Sequence, residues 1–156
     1  MYKCLYEKLT GAQRLLLDKA EEAMQTAYSP YSGFCVGAAL FSRDHQIITG
    51  SCVENASYGS GICAERAAIL RANAMGTREF DQIAIIAKGK EFNTKQVTAP
   101  CGNCRQVLYE FSQISSKNIE IIMSNTKKTN IIISNIEELF PLGFGPRDLG
   151  VKLKKH

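Results

Sequence analysis

The sequence predicts a three-layer α/β/α sandwich built on a mixed sheet of about five strands. Short apolar runs, which are typical of buried strands, alternate with segments whose apolar residues recur at helical spacing. Helices placed between successive strands favour parallel crossovers and a sheet covered on both faces. The length of 156 residues suits one domain, so residues 1–156 are expected to form a single domain.

The first helix is predicted over residues 11–27. Thr10 and Gln13 fit a capping box, in which each side chain accepts a hydrogen bond from the other's backbone N–H. The helix should end before Pro30, because the residue that precedes a proline avoids the helical conformation. The apolar residues at helical spacing are Leu16, Ala20, Ala23 and Ala27.

An antiparallel pair of strands is expected next. Residues 35–42 are nearly all apolar or small, as in a strand buried on both faces, and residues 46–52 form the second strand after a turn at residues 43–45. Residues 53–61 are predicted to be a loop.

The rest of the chain alternates helices and strands. Helices are predicted at 63–75, with Ala67, Leu70 and Ala74 buried, at 102–113, with Val107, Leu108 and Phe111 buried, and at 136–140. Strands are predicted at 83–87, 119–123 and 131–133, with a polar loop at 88–99.

Composition and charge restrict the classes of protein. The chain is 45% hydrophobic and 22% charged, as in ordinary globular proteins, and no apolar run approaches the roughly 20 residues that span a membrane. Residues 1–8 lack the apolar core of a signal peptide, so we expect a cytoplasmic protein with reduced cysteines and no membrane partner. The net charge of +4 is modest, and Lys152, Lys154 and Lys155 favour a solvated tail over a nucleic-acid site.

Three cysteines and one glutamate form the strongest chemical pattern in the sequence. Cys63 begins one predicted helix, whereas Cys101 and Cys104 flank the start of another, and Glu65 lies two residues after Cys63. Helix N-termini favour thiolate over thiol. Three protein ligands and one open position are typical of catalytic zinc, and the spacing matches the signature of zinc nucleobase deaminases. Arg66 could donate hydrogen bonds to the ligand sulfurs, although it could also be a surface arginine.

Other interpretations of the cysteines remain open. The thiols could be core residues, as we expect for Cys4 and Cys35, or Cys101 and Cys104 could be a redox pair. A closed structural zinc site with Cys52 as a fourth ligand is a further alternative. The two histidines, His45 at a turn and His156 at the C-terminus, are not expected to bind metal.

Nearly the entire chain resembles the small, homotetrameric, zinc-dependent cytidine deaminases of pyrimidine salvage. The matching stretches are 28–32 with Phe34, 36–40, 53–59, 62–66, 100–108, 139–141 and 144–149. The resemblance implies a cytidine deaminase-like fold and a hydrolase that converts cytidine and deoxycytidine to uridine and deoxyuridine with release of ammonia. It also implies that Cys63, Cys101 and Cys104 bind Zn²⁺. Glu65 would take a proton from the zinc-bound water and pass protons to N3 and the leaving amine.

The resemblance also implies a set of substrate contacts. Phe34 would pack near the base, Glu54 would accept a hydrogen bond from the sugar, and Ala64 would contact the substrate. Phe144 would reach into a neighbouring subunit's site and stack on its base. Cys52 is a departure, because the family usually has an asparagine there that hydrogen-bonds the sugar, whereas a thiol is a weak donor and acceptor.

Three other functions are weighed against cytidine deamination. The same fold could act on a modified or antibiotic nucleoside, which the change at Cys52 would favour. It could act on a base in RNA or DNA, but the sequence offers only the short basic tail for such a partner. A non-enzymatic module stabilised by zinc would have no open coordination position.

Overall fold

The computed structural model describes residues 1–151 and 153. Outside the described residues lie Lys152, Lys154 and Lys155, expected to form a solvated tail, and His156, not expected to bind metal. The strands are β1 (Tyr2–Cys4), β2 (Phe34–Ser42), β3 (Ile47–Ser51), β4 (Phe80–Gly89), β5 (Glu120–Ser124) and β6 (Ile131–Asn135). The α-helices are α1 (Gly11–Met24), α2 (Ala64–Ala74), α3 (Gly102–Ser115) and α4 (Ile136–Leu139).

The strands form one mixed sheet in the order β1-β6-β5-β4-β2-β3. Strands β4 and β5 pair in parallel, and the other neighbours are antiparallel. Since β3 and β4 both run antiparallel to β2, helix α2 joins two strands of the same direction, and α3 does the same for β4 and β5. The predicted parallel crossovers and the antiparallel β2–β3 pair are therefore confirmed.

Helices cover both faces of the sheet, which confirms the predicted three-layer fold. On one face α1 packs on the sheet around Leu16, Leu17 and Ala20. On the other face α2 and α3 pack around Ala68 and Leu108. Among the described residues, no helix has the length and apolarity to cross a membrane.

The sheet has six strands rather than about five. The additional strand, β1, pairs antiparallel with β6 at one edge of the sheet. Three residues are too few to show an alternating pattern, so only the long-range pairing of residues 2–4 with residues 131–133 defines this strand.

Helix α1 has the predicted capping box but ends at Met24, before the predicted end at residue 27. Residues 25–27 continue with bonds to the third preceding residue, such as that from the Ala27 N–H to the Met24 carbonyl, so the last turn tightens before Pro30 is reached.

The predicted buried face of α2 is wrong. Leu70 is 58% exposed and Ala74 is exposed, whereas Ala68, Ile69 and Ala72 are buried. The cause is a close approach of α2 to β3: a Cβ atom on Gly50 would lie 2.3 Å from the Ala68 nitrogen. This contact fixes the rotation of the helix that carries Glu65.

Candidate active site

Two helix N-termini present the three clustered cysteines. Cys63 is the N-cap of α2 and Cys101 is the N-cap of α3, and neither thiol is used to cap its helix. Cys104 lies in the first turn of α3, three residues after Cys101, and is fully buried. The thiols at both helix starts are therefore not used in helix capping and can face a shared ligand.

The spacing of the three sulfurs fits a zinc ion. Cys63 Sγ lies 3.8 Å from Cys101 Sγ, Cys101 Sγ lies 3.5 Å from Cys104 Sγ, and all three lie within 4.8 Å of one another. Tetrahedral coordination with Zn–S bonds of about 2.3 Å places sulfurs about 3.8 Å apart. The donor set and its geometry thus suit Zn²⁺ with three protein ligands.

The thiols of Cys63 and Cys104 differ in proton affinity. The pKa of Cys63 is lowered to about 5, chiefly by the hydrogen bond from the Cys104 thiol and further by that from Arg66. Its role as donor to Cys63, together with burial, raises the pKa of Cys104. A metal cation favours the thiolate form of every thiol that binds it.

Glu65 lies in the first turn of α2 beside this cluster. Glu65 is only 4% exposed. Burial raises the pKa of this carboxyl to about 6, and the negative charge on Cys63 adds to the shift. A carboxyl with a pKa in this range can both take up and release a proton near neutral pH.

Arg66 contacts the cysteine cluster. Its Nη2 donates to Cys63 Sγ at 3.8 Å and to the Gly61 carbonyl at 3.0 Å. The guanidinium therefore lies where it offsets the charge of the thiolates.

A cavity of about 560 Å³ opens onto Cys63, Cys101 and Glu65, a volume typical of small-molecule sites. Its other lining residues are Tyr31, Ser32, Phe34, Val36, Cys52, Val53, Glu54, Asn55, Tyr58, Gly61, Ile62, Thr98 and Ala99. The structure therefore brings Phe34, Cys52 and Glu54 into the same cavity as Cys63, Cys101 and Glu65.

The side chains of two cavity residues, Glu54 and Cys52, form hydrogen bonds within the protein. The Glu54 carboxylate accepts the Tyr31 N–H at 2.8 Å, and the hydrogen bond from the Ser32 hydroxyl holds the pKa of this carboxyl below its usual range. Cys52 Sγ accepts the Val36 N–H at 3.2 Å and lies 3.2 Å from Ser29 Oγ. The thiol of Cys52 is thus occupied within the protein.

Two predicted contact residues lie outside the lining of this cavity. Ala64 is fully buried between Cys63 and Glu65, and its side chain packs in the core. Phe144 is 60% exposed on a loop after α4, where its carbonyl accepts a hydrogen bond from Gln106 at 2.9 Å. Within one chain, neither side chain lines the cavity.

The alternative of a closed zinc site with Cys52 as the fourth ligand finds less support. Cys52 is not part of the three-sulfur cluster, and all six cysteines, which lie among the described residues, are free thiols. His45 is exposed at its turn, away from that cluster.

Sequence reasoning assigned no role to Ser32, Tyr31, Asn55 or Tyr58, although they line the cavity. Each lies in a stretch that carried the family resemblance, and this was the available signal. Tyr31 and Tyr58 contact each other at the cavity mouth, with ring centroids 6.0 Å apart.

Residues 11–119 match the family model described as the cytidine and deoxycytidylate deaminase zinc-binding region. This match spans more than half of the sequence, and the chain belongs to that family of deaminases.

Individual relatives agree with the family model. The chain is 38% identical over 137 residues to a cytidine deaminase of Halalkalibacterium halodurans, with 88% of this chain and 97% of the relative covered. It is 37% identical over 134 residues to a cytidine deaminase of Sporosarcina psychrophila, with 86% and 92% covered. The structure is also similar to a crystal structure of cytidine deaminase from Burkholderia pseudomallei, with a TM-score of 0.75 and 36% identity. The match covers 87% of this chain and 100% of that chain.

Proposed function

We propose that this chain is a zinc-dependent deaminase that hydrolyses cytidine and deoxycytidine to uridine and deoxyuridine with release of ammonia. The observation that carries the proposal is one cavity lined by Cys63, Cys101 and the buried Glu65. The identity to cytidine deaminases over most of the chain supports the same reaction.

Cys63, Cys101 and Cys104 would hold the zinc ion, with Arg66 offsetting the charge of the thiolates. Zinc bound there supplies a Lewis acid that makes a water molecule acidic enough to act as a nucleophile near neutral pH. The other residues of the site would transfer protons or bind the substrate.

Glu65 is the proposed proton carrier. As a carboxylate it accepts the proton that the attacking water loses, and as a carboxylic acid it donates that proton to N3 of the base. It then accepts the remaining proton of the new hydroxyl on C4 and donates it to the departing amine. Burial, which raises the pKa of this carboxyl to about 6, favours its uptake of a proton. Addition of water to C4 and loss of ammonia then convert the amino group to a carbonyl.

The rest of the cavity would hold the nucleoside. Phe34 offers an aromatic surface for the base, and Glu54 offers a carboxylate for the sugar. Ala64 would contribute through its backbone, because its side chain is buried in the core. A free nucleoside, rather than a nucleic acid, is the proposed substrate.

Composition and length lead us to expect a cytoplasmic protein with a single domain.

A panel of substrates tests the proposed function. The purified protein would be incubated with cytidine, deoxycytidine, cytosine and adenosine, and ammonia would be measured. We expect release from the first two only. No release from either nucleoside, with zinc present in the protein, would contradict the proposal.

We also propose that the chain forms a homotetramer whose sites are completed across subunits. Apolar side chains exposed on one segment, Leu142, Phe144 and Leu149, support burial against another copy. Phe144 would stack on the base bound by a neighbour.

Phe144→Ala should therefore raise KM for cytidine by about 5- to 150-fold, since stacking of a base on an aromatic side chain is worth about 1–3 kcal/mol. Steady-state kinetics measures the change, and light scattering checks the assembly. Tyr2→Ala, at an exposed aromatic residue of strand β1 that does not line the cavity, is the matched control. A fully active monomer would contradict the shared site.

Cys52 provides a test of substrate choice. Its thiol is occupied by Val36 and Ser29, so it offers the sugar no strong hydrogen bond. Cys52→Asn should lower KM for cytidine by several-fold, up to about tenfold, with little change in kcat, because a neutral hydrogen bond is worth about 0.5–1.5 kcal/mol. If the unmodified protein ignored cytidine but accepted a sugar-modified analogue, the modified nucleoside would replace cytidine as the substrate.

A further inference from the structure

Ser32 connects two parts of the cavity that would otherwise be independent. Its hydroxyl donates to Glu54 Oε1, and the same oxygen accepts the Phe34 N–H at 2.9 Å. Glu54 follows β3, whereas Phe34 begins β2. One hydroxyl therefore links the carboxylate proposed to bind the sugar to the residue proposed to pack on the base.

The turn that carries Ser32 is itself well defined. The Gly33 N–H donates to the Ser29 carbonyl at 3.0 Å, and the Ser29 hydroxyl donates to the Phe34 carbonyl at 3.0 Å. Gly33 has a φ of 65°, which glycine adopts without strain. Ser29 thus holds the carbonyl of Phe34 while Ser32 holds its N–H.

The hydrogen bonds to Glu54 also determine how it can meet a substrate. Oε2 accepts the N–H groups of Tyr31 and Ser32 at 2.8 Å and 3.2 Å, and Oε1 accepts the Ser32 hydroxyl. A carboxylate has about four lone-pair positions, so about one remains for a sugar hydroxyl. The direction of that position depends on the groups that occupy the other three.

We propose that Ser32 is a positioning residue that fixes the Glu54 carboxylate and the start of β2 in the arrangement that receives the nucleoside. The proposal rests on the proposed function. Loss of the hydroxyl releases the carboxylate from one of its three bonds and leaves the Phe34 N–H without its acceptor. Both changes weaken the binding of the nucleoside equally in the ground state and in the transition state. The proposed metal ligands and Glu65 are unaffected.

Kinetics of Ser32 variants test this role. Ser32→Ala should raise KM for cytidine about 3- to 20-fold and leave kcat within about twofold, which is the pattern for a lost contact made equally in the ground and transition states. Ser32→Thr keeps the hydroxyl and should restore KM to within about twofold of the parent. Ser32→Cys keeps the size but has a weak donor, so it should behave like Ser32→Ala.

Two comparisons separate this role from a general structural effect. In a Glu54→Gln background, Ser32→Ala should raise KM by a smaller factor than in the parent, because the charged acceptor is gone. Ser60→Ala is the matched control, since Ser60 is an exposed serine near the cavity mouth that does not line the cavity. Its KM should not change.

The outcomes distinguish the two proposals. If the parent releases no ammonia from cytidine, the proposed function fails and the role of Ser32 falls with it. If the parent is active but Ser32→Ala has an unchanged KM, only the role of Ser32 is overturned. The same holds if Ser32→Ala and Ser32→Thr raise KM equally, or if the effect of Ser32→Ala is undiminished by Glu54→Gln. Thermal unfolding of each variant verifies that the fold is intact.

Discussion

Replacing Glu65 with glutamine should lower kcat for cytidine by about 10²- to 10⁴-fold or more, because glutamine has the same shape but cannot carry the proton. Zinc content should stay at the parent level, since Glu65 is not among the three proposed ligands. The fold should be at least as stable, because burial disfavours the charged form of Glu65 and glutamine is neutral. Steady-state kinetics and metal analysis measure these quantities.

The control for this substitution is Glu22→Gln on helix α1. Glu22 is exposed and pairs with Lys19 across one turn of the helix. Its replacement removes a surface carboxylate and should leave kcat unchanged. A Glu65→Gln variant with nearly full turnover of cytidine would show that another group carries the proton.

Cys101→Ala should remove most of the bound zinc and nearly all of the activity. Cys101 is the informative ligand to replace, because it is exposed and its thiol does not cap α3. Alanine at this position leaves no cavity in the core, so any loss of stability reports the loss of metal. We expect a lower unfolding temperature for the variant than for the zinc-loaded parent.

A chelator sharpens the same experiment. Removal of zinc from the parent should bring its unfolding temperature close to that of Cys101→Ala, because binding to the native state alone stabilises it. Cys4→Ala, at the edge strand β1 and outside the sulfur cluster, should keep both zinc and activity. Full zinc occupancy in Cys101→Ala would exclude Cys101 as a ligand.

The parts of the fold that depend on local chemistry could be predicted from the sequence. The capping box of Thr10 and Gln13 involves residues three apart, and it is present as expected. The residues that follow Cys63 and Cys101 predict helix starts at these positions, and both cysteines are N-caps.

Features that depend on contacts between distant segments could not be predicted in this way. Strand β1 exists because it pairs with β6, and the buried face of α2 depends on its close approach to Gly50. Leu70 is apolar yet exposed, so hydrophobicity alone indicated the wrong face.

The candidate site shows the same division. The three cysteines and Glu65 are recognisable by type and spacing, because metal ligands and proton carriers come from a short list of residues. The link between Ser32 and Glu54 spans 22 residues and two strands, and a serine has many uses in proteins. Only the folded chain reveals which acceptor its hydroxyl meets.

Reconstitution of the metal-free protein tests the central claim most directly. Zinc would be removed with a chelator and returned in steps while ammonia release from cytidine is followed. We predict that turnover is absent without metal and rises in proportion to added zinc until about one ion is bound per chain. Full turnover of cytidine by the metal-free protein, or none at full zinc occupancy, would contradict the account.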